Sequence, residues 1–219
     1  MITDYLIQFT EWIGTVSFAI SGSLVAIAHG LDLFGVLIVG CLTAVGGGIT
    51  RDILMGNLPP RIFFDPVVLS LALATSLLVF LVAAFNAKKF TSFRKRLDNI
   101  NIFFDALGLA VFSVSGVEAA CAGGFRDNAV FVITLGVITG VGGGVLRDVF
   151  VNEKPYILTK HIYAVASIMG CGVYLLFREL FELKVWGIAV SVVLTVVIRL
   201  LAAHFRWKLP KIHLPKEEN

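Results

Sequence analysis

Apolar runs and short polar turns alternate along the whole chain. Each run approaches the ~20 residues that cross roughly 30 Å of hydrocarbon as a helix. The pattern predicts seven helical spans, at about 5–28, 33–51, 66–85, 102–122, 129–148, 161–177 and 185–203. Most turns between them are short and polar or glycine-rich, as at His29-Gly30-Leu31-Asp32. The one long connection, 86–101, is strongly basic and reads as the join between two halves.

Composition sharpens this into a membrane protein. The chain has 219 residues, 58% of them hydrophobic and only 15% charged, whereas a soluble domain carries about 25% charged residues. So few charges could not cover the core that so many apolar residues would form. Cys41, Cys121 and Cys171 lie inside apolar runs without metal-ligand spacing and read as small buried hydrophobes. No basic segment precedes the first span, which is therefore expected to stay in the protein.

The halves repeat. Residues 9–22 lie over 103–116, matching Phe9, Gly14, Phe18, Ser21 and Gly22. Further on, Gly46-Gly47-Gly48-Ile49-Thr50-Arg51-Asp52 recurs as Gly142-Gly143-Gly144-Val145-Leu146-Arg147-Asp148, and Pro59 meets Pro155. Each copy contains three spans. An odd number forces the second copy to enter the bilayer from the opposite face, which gives an inverted repeat of the kind transport proteins use. The predicted fold is therefore an all-α polytopic membrane protein: two inverted three-helix repeats plus a seventh helix. Its expected divisions are repeat one at 5–86, the connection 86–101, repeat two at 102–178, the seventh helix at 185–203 and a tail at 204–219. With the N-terminus outside, the inner segments hold 12 Lys and Arg and the outer ones 5. The positive-inside rule then places the C-terminus in the cytoplasm.

Three consecutive glycines are costly in a helix, at roughly 1 kcal/mol each against alanine. One reading is that the second and fifth spans break there, exposing backbone carbonyls to a wet path. The other is close helix packing, since Gly40, Ala44 and Gly48, like Gly136, Gly140 and Gly144, form small-xxx-small faces. Packing explains one small face more easily than three consecutive glycines, which favours the break. Adjacent helical residues point about 100° apart, so each Arg of the Arg-Asp pairs is expected to meet the other repeat's Asp or a helix end.

Glu118 is the most isolated acid within a span, aligned with Leu24, and suggests ion attraction or a proton-linked role. Glu11 and Asp105 align near span starts and read as partners of helix dipoles. Ser17, Ser21, Ser113, Ser115, Thr43 and Thr139 could line a path or bond back to their own helices. His29 and His161 sit at turns without a second ligand, so no metal site is expected. The basic run Lys88, Lys89, Arg94, Lys95 and Arg96, like Lys208, Lys211 and Lys216 in the tail, reads as a topology signal beside anionic lipid. A hydrophobic constriction among the 18 Phe has no locatable position in the sequence.

Seven spans arranged three, three and one, with GGGxxRD in the second and fifth, resemble the trimeric intracellular cation channel family in its bacterial and archaeal members. The resemblance covers about 5–203. It implies a homotrimer whose protomers each hold a pore for K⁺ and Na⁺, with the second and fifth helices bent at the glycines, in a bacterial inner membrane. It implies no cofactor beyond the permeant cations. The pore-lining or ion-binding candidates carried over by motif are Gly46, Gly47, Gly48, Gly142, Gly143 and Gly144. Thr50, Arg51, Asp52, Arg147 and Asp148 adjoin them, and the intramembrane Glu118 joins the set. Animal members carry a Lys-Glu-Val signature tied to phosphoinositides; it does not occur here, which leaves other membrane lipids as expected partners. The bacterial sequences are also similar to a group described as glycine transporters, so a secondary transporter of glycine or a similar small zwitterion is the alternative. Enzyme activity is not expected: the chain shows no nucleophile–base arrangement, no metal cluster and no phosphate-binding loop. Nor is a nucleic-acid partner expected.

Overall fold

A backbone inside hydrocarbon must satisfy its polar groups within its own segment, and every apolar run is helical. The computed structural model describes residues 2–86, 94–159 and 162–207. The side chains of Lys88, Lys89, Arg94, Lys95, His161, Lys208, Lys211 and Lys216 lie outside the described residues. The seven long helices are α1 (Ile2–Ala28), α2 (Leu33–Leu54), α3 (Pro66–Phe85), α4 (Arg94–Ala120), α5 (Ala129–Phe150), α6 (Ile162–Leu180) and α7 (Lys184–His204). All seven are long and apolar enough to cross a membrane, and this is an integral membrane protein.

Local chemistry sets the helix ends. The Asp32 carboxylate accepts from the Gly35 amide to start α2, and the Asn128 side chain accepts from the Phe131 amide to start α5. These side chains take up amides that no helical carbonyl can reach. Asp65 does the same for α3, with Pro66 in the first turn. A π-helical turn, Cys121–Phe125, closes α4, where Gly124 takes φ +89°, a conformation that favours glycine. The sequence-based fourth span began at 102, but α4 starts at Arg94, so the basic connection already feeds into helix.

Helices α1, α2, α4 and α5 pack against one another at the centre, with α3 beside α1 and α2 and with α6 and α7 beside α4. α4 is the most enclosed span, 72% buried over its most apolar stretch against 17% for α3. Leu73, Leu77, Leu78, Leu81 and Val82 on α3, and Val193, Val197 and Leu201 on α7, are exposed as lipid-facing side chains are.

The expected break at the glycine triplets is not formed. Both α2 and α5 run through Gly46–Gly48 and Gly142–Gly144 as uninterrupted helix. The glycines are there because the two helices cross backbone to backbone. A methyl group on Gly47 would stand 2.0 Å from the Thr139 carbonyl oxygen, and one on Gly143 would stand 2.0 Å from that of Thr43. Gly46 faces the Leu146 side chain, and Gly142 faces the Cα of Gly47. Packing therefore accounts for two of the three glycines in each triplet. Around the same axis Phe18 and Phe112, aligned in the repeat, stack with centroids 5.4 Å apart. Gly108 makes room for the Phe18 ring, and Gly14 lies against Phe112.

Overpacking of a fitted contact costs about 1–3 kcal/mol, so Gly47→Ala and Gly143→Ala should each lower stability by about that much. Gly172→Ala, where an added methyl meets nothing within 4 Å, should not. Thermal unfolding of the three variants in detergent checks this.

Candidate functional site

The Arg-Asp pairs build two polar sites, one in each half of the membrane region, from repeated parts. In each pair the Arg folds back onto its own neighbour. Arg51 Nε donates to Asp52 Oδ1 at 2.8 Å, and Arg147 Nε donates to Asp148 Oδ1 at 2.8 Å. The expectation that each Arg would meet the other repeat's Asp is thus overturned. Although adjacent residues diverge around the helix, the long Arg stem is flexible enough to bend back.

The second oxygen of each Asp holds the loop that follows. Asp52 Oδ2 accepts from the Arg61 amide at 2.9 Å, where a short 3₁₀ turn, Arg61–Phe64, begins. Asp148 Oδ2 accepts from the Tyr156 amide at 2.8 Å, the start of the short turn Tyr156–Thr159. Burial pushes the Tyr156 phenol above its usual pKa.

What crosses between repeats is the Arg tip and a serine. Arg51 Nη1 donates to Ser115 of the second repeat at 3.3 Å and lies 3.9 Å from Glu11. Arg147 Nη1 donates to Ser21 of the first repeat at 2.7 Å and to Asp105 at 2.7 Å. Ser115 donates to Glu11, and Ser21 donates to Asn101. Glu11 and Asp105, expected to serve helix dipoles, instead join Asp52 and Asp148 as acids of the two sites. Their alignment with each other, taken with that of Ser21 and Ser115, was the available signal.

Built from matching parts, the two sites differ in exposure. Arg147 and Asp105 have fully buried side chains, at 0% and 0%, against 11% and 19% for Arg51 and Glu11. The Arg51 site borders a cavity of about 900 Å³ whose walls include Gln8, Glu11, Arg51, Asp52, Ser115 and Glu118. A crevice of about 60 Å³, lined in part by Thr15, Ala44, Gly48 and Val68, leads from the same residues to Phe112. At the other end of α1 a cavity of about 480 Å³ holds His29, Asp98, Asn101, Asp148 and Glu153. The Arg147 site is closed by Tyr163, whose hydroxyl lies beside Gly144, and by Arg199 of α7. Arg199 went unnoticed in the sequence, although a single basic residue within an apolar span is itself a signal.

The remaining candidates fall as follows. Gly48, Arg51 and Asp52 line the crevice, Glu118 lines the large cavity and Asp148 the opposite one. Gly46, Gly47, Gly142 and Gly143 lie in the α2–α5 contact. The Thr50 hydroxyl bonds back to the Gly46 carbonyl at 2.9 Å. Glu118 is not isolated: Arg178 and Tyr174 donate to its carboxylate at 2.8 Å each, and Lys184 lies 3.3 Å away. Those contacts tie α4 to α6 and α7. His29 pairs with Glu153 at 3.2 Å, and no cluster of three metal-ligating side chains occurs among the described residues.

Leaving a buried ion-pair network half-paired costs about 3–5 kcal/mol, so Arg147→Met should destabilise by that much and Arg51→Met by no more than about half of it. Paired denaturation curves read the difference.

The chain matches the family described as "Glycine transporter" over residues 8–84 and 102–179. It is 37% identical to the UPF0126 inner membrane protein YadS of Escherichia coli K12, over 95% of this chain and 97% of that one. Among solved structures, a prokaryotic TRIC channel in 0.5 M KCl superposes with a TM-score of 0.83 at 33% identity, covering 94% of this chain and 99% of that one. The TRIC trimeric intracellular cation channel orthologue from Rhodobacter sphaeroides gives 0.81 at 26% identity, with coverage of 92% and 99%. Two three-helix repeats with a seventh helix, the doubled motif and these likenesses agree, and the chain belongs to the prokaryotic trimeric intracellular cation channel family.

Proposed function

We propose that the protein is a homotrimeric channel for monovalent cations, K⁺ and Na⁺, with one path through each protomer between α1, α2, α4 and α5. The observation that carries this reading is a pair of acid-bearing cavities at opposite ends of α1, one of them continued by a crevice that reaches Phe112 of the Phe18–Phe112 stack. Glu11 and Asp52 on one side, and Asp98, Asp148 and Glu153 on the other, favour cations at both mouths. The likeness to structures described as TRIC cation channels supports the same reading, as it does the trimer.

In this reading the structure is a closed state. Ions pass when the aromatic stack and the α2–α5 crossing part, and Gly48, Arg51, Asp52, Gly144, Arg147 and Asp148 come to border the path. The N-terminus faces outside and the C-terminus the cytoplasm, following the distribution of Lys and Arg. The membrane is the bacterial inner membrane, as the name of YadS suggests for that relative. The repeats divide at 5–86 and 102–178.

A second reading, a transporter of glycine or a similar small zwitterion, is favoured by one observation beyond the family's description. Arg51 and Glu11 place opposite charges in the open cavity while the matching Arg147 site is sealed. Unitary currents in planar bilayers with K⁺ and Na⁺ gradients support the channel. Saturable glycine uptake without unitary currents would replace it. For the channel, Glu11→Gln should weaken cation-over-anion selectivity, read as a reversal potential displaced towards zero in a KCl gradient. An unchanged reversal potential removes Glu11 from the path.

A further inference from the structure

The seventh helix has no counterpart in the repeat, yet it delivers a charge into one of the two matched sites. Arg199 is 4% exposed. Its Nη2 stands 3.8 Å from Asp105 Oδ2, and its guanidinium carbon lies 4.5 Å above the Tyr163 ring. The open site provides the comparison. There Glu11, Asp52 and Arg51 sum to one negative charge beside a large cavity, and the further cation on its wall, Arg61, is exposed rather than buried against the acids. Asp105, Asp148 and Arg147 sum to the same charge, and Arg199 brings it to zero.

Arg147 and Arg199 are held differently. Arg147 is fixed by hydrogen bonds to Asp148, Asp105 and Ser21. Arg199 Nε makes no hydrogen bond, and neither do Asp105 Oδ2, Arg147 Nη2 or the Tyr163 hydroxyl, all of them buried. Unpaired polar groups are costly when buried, so Arg199 is close to its carboxylate without being locked to it. On its other flank it borders a cavity of about 360 Å³, shared with Thr159, Ala203, Arg206 and Trp207, that can receive a displaced guanidinium.

We propose that Arg199 is a tethered cation that holds the Asp105 site in place of a permeating ion, and that conduction requires it to swing into the neighbouring cavity. The proposal rests on the cation-channel reading. A permeant cation and Arg199 then compete for one carboxylate, and the closed population depends on which of them occupies it.

The test is single-channel recording of the purified protein in planar bilayers with KCl, comparing wild type, Arg199→Lys and Arg199→Gln. Removing the charge should raise open probability by about fivefold or more, the factor expected for loss of one modest interaction. Lysine keeps the charge but loses planar stacking on Tyr163, so its open probability should fall between the other two. Open probability should also climb with KCl concentration in wild type and stay flat in Arg199→Gln, a response that a merely structural arginine would not produce. Equal open probability in wild type and Arg199→Gln overturns the proposal. If Arg199→Gln does not assemble, Arg199→Lys decides: a raised value supports the proposal and a wild-type value overturns it. Absence of cation current from all three assembled proteins overturns the channel reading itself, and the tethered cation with it.

Discussion

Two helices crossing with nothing between their backbones is the contact on which the rest of this architecture turns. Gly47 meets the Thr139 carbonyl, and Gly143 meets that of Thr43, at distances no side chain would permit. Lipid offers no hydrophobic force to press helices together, so close van der Waals approach must hold them. The crossing sets the spacing of α1 and α4 outside it, and so the distance between the stacked rings of Phe18 and Phe112. It also directs the two Arg-Asp pairs to opposite ends of one axis.

Charge is the second constraint. An arginine in hydrocarbon must be paired, and each Arg of the doubled motif donates to the adjacent Asp and to a serine of the opposite repeat. The same Asp anchors the loop that follows it. One motif therefore ties a helix end, a loop and the other repeat together, which explains why the Arg and Asp recur with the glycines. Symmetry fails where α6 and α7 bring Tyr163 and Arg199 against the Arg147 site, while only Val68 of α3 borders the matching crevice. Arg51 and Glu11 border a large cavity while Arg147 and Asp105 are fully buried because their neighbours differ, although their own residues correspond.

Several elements are legible in the sequence. Seven spans, the inverted repeat and the asymmetry of Lys and Arg follow from hydropathy and counting, since the bilayer fixes helix length and parity fixes orientation. The glycine triplet was ambiguous for a physical reason. Absence of a Cβ permits both a broken helix and a close crossing, and only the identity of the facing surface distinguishes them. Glu118 looked isolated because Tyr174, Arg178 and Lys184 are distant in sequence. The partners of Arg51 and Arg147 do not follow from their positions on the helix, because helical geometry constrains Cβ directions more tightly than the ends of long side chains.

The amino-acid order alone determined that this chain crosses a membrane seven times, that its halves oppose each other and that polar chemistry gathers beside two glycine runs. Such properties depend on composition and period, which are local. Tertiary structure decided that the glycines weld α2 to α5, that Glu11 and Asp105 join Asp52 and Asp148 as acids of the paired sites, and that Arg199 reaches Asp105. Those outcomes depend on which surfaces meet across long sequence separations, where periodicity carries no information.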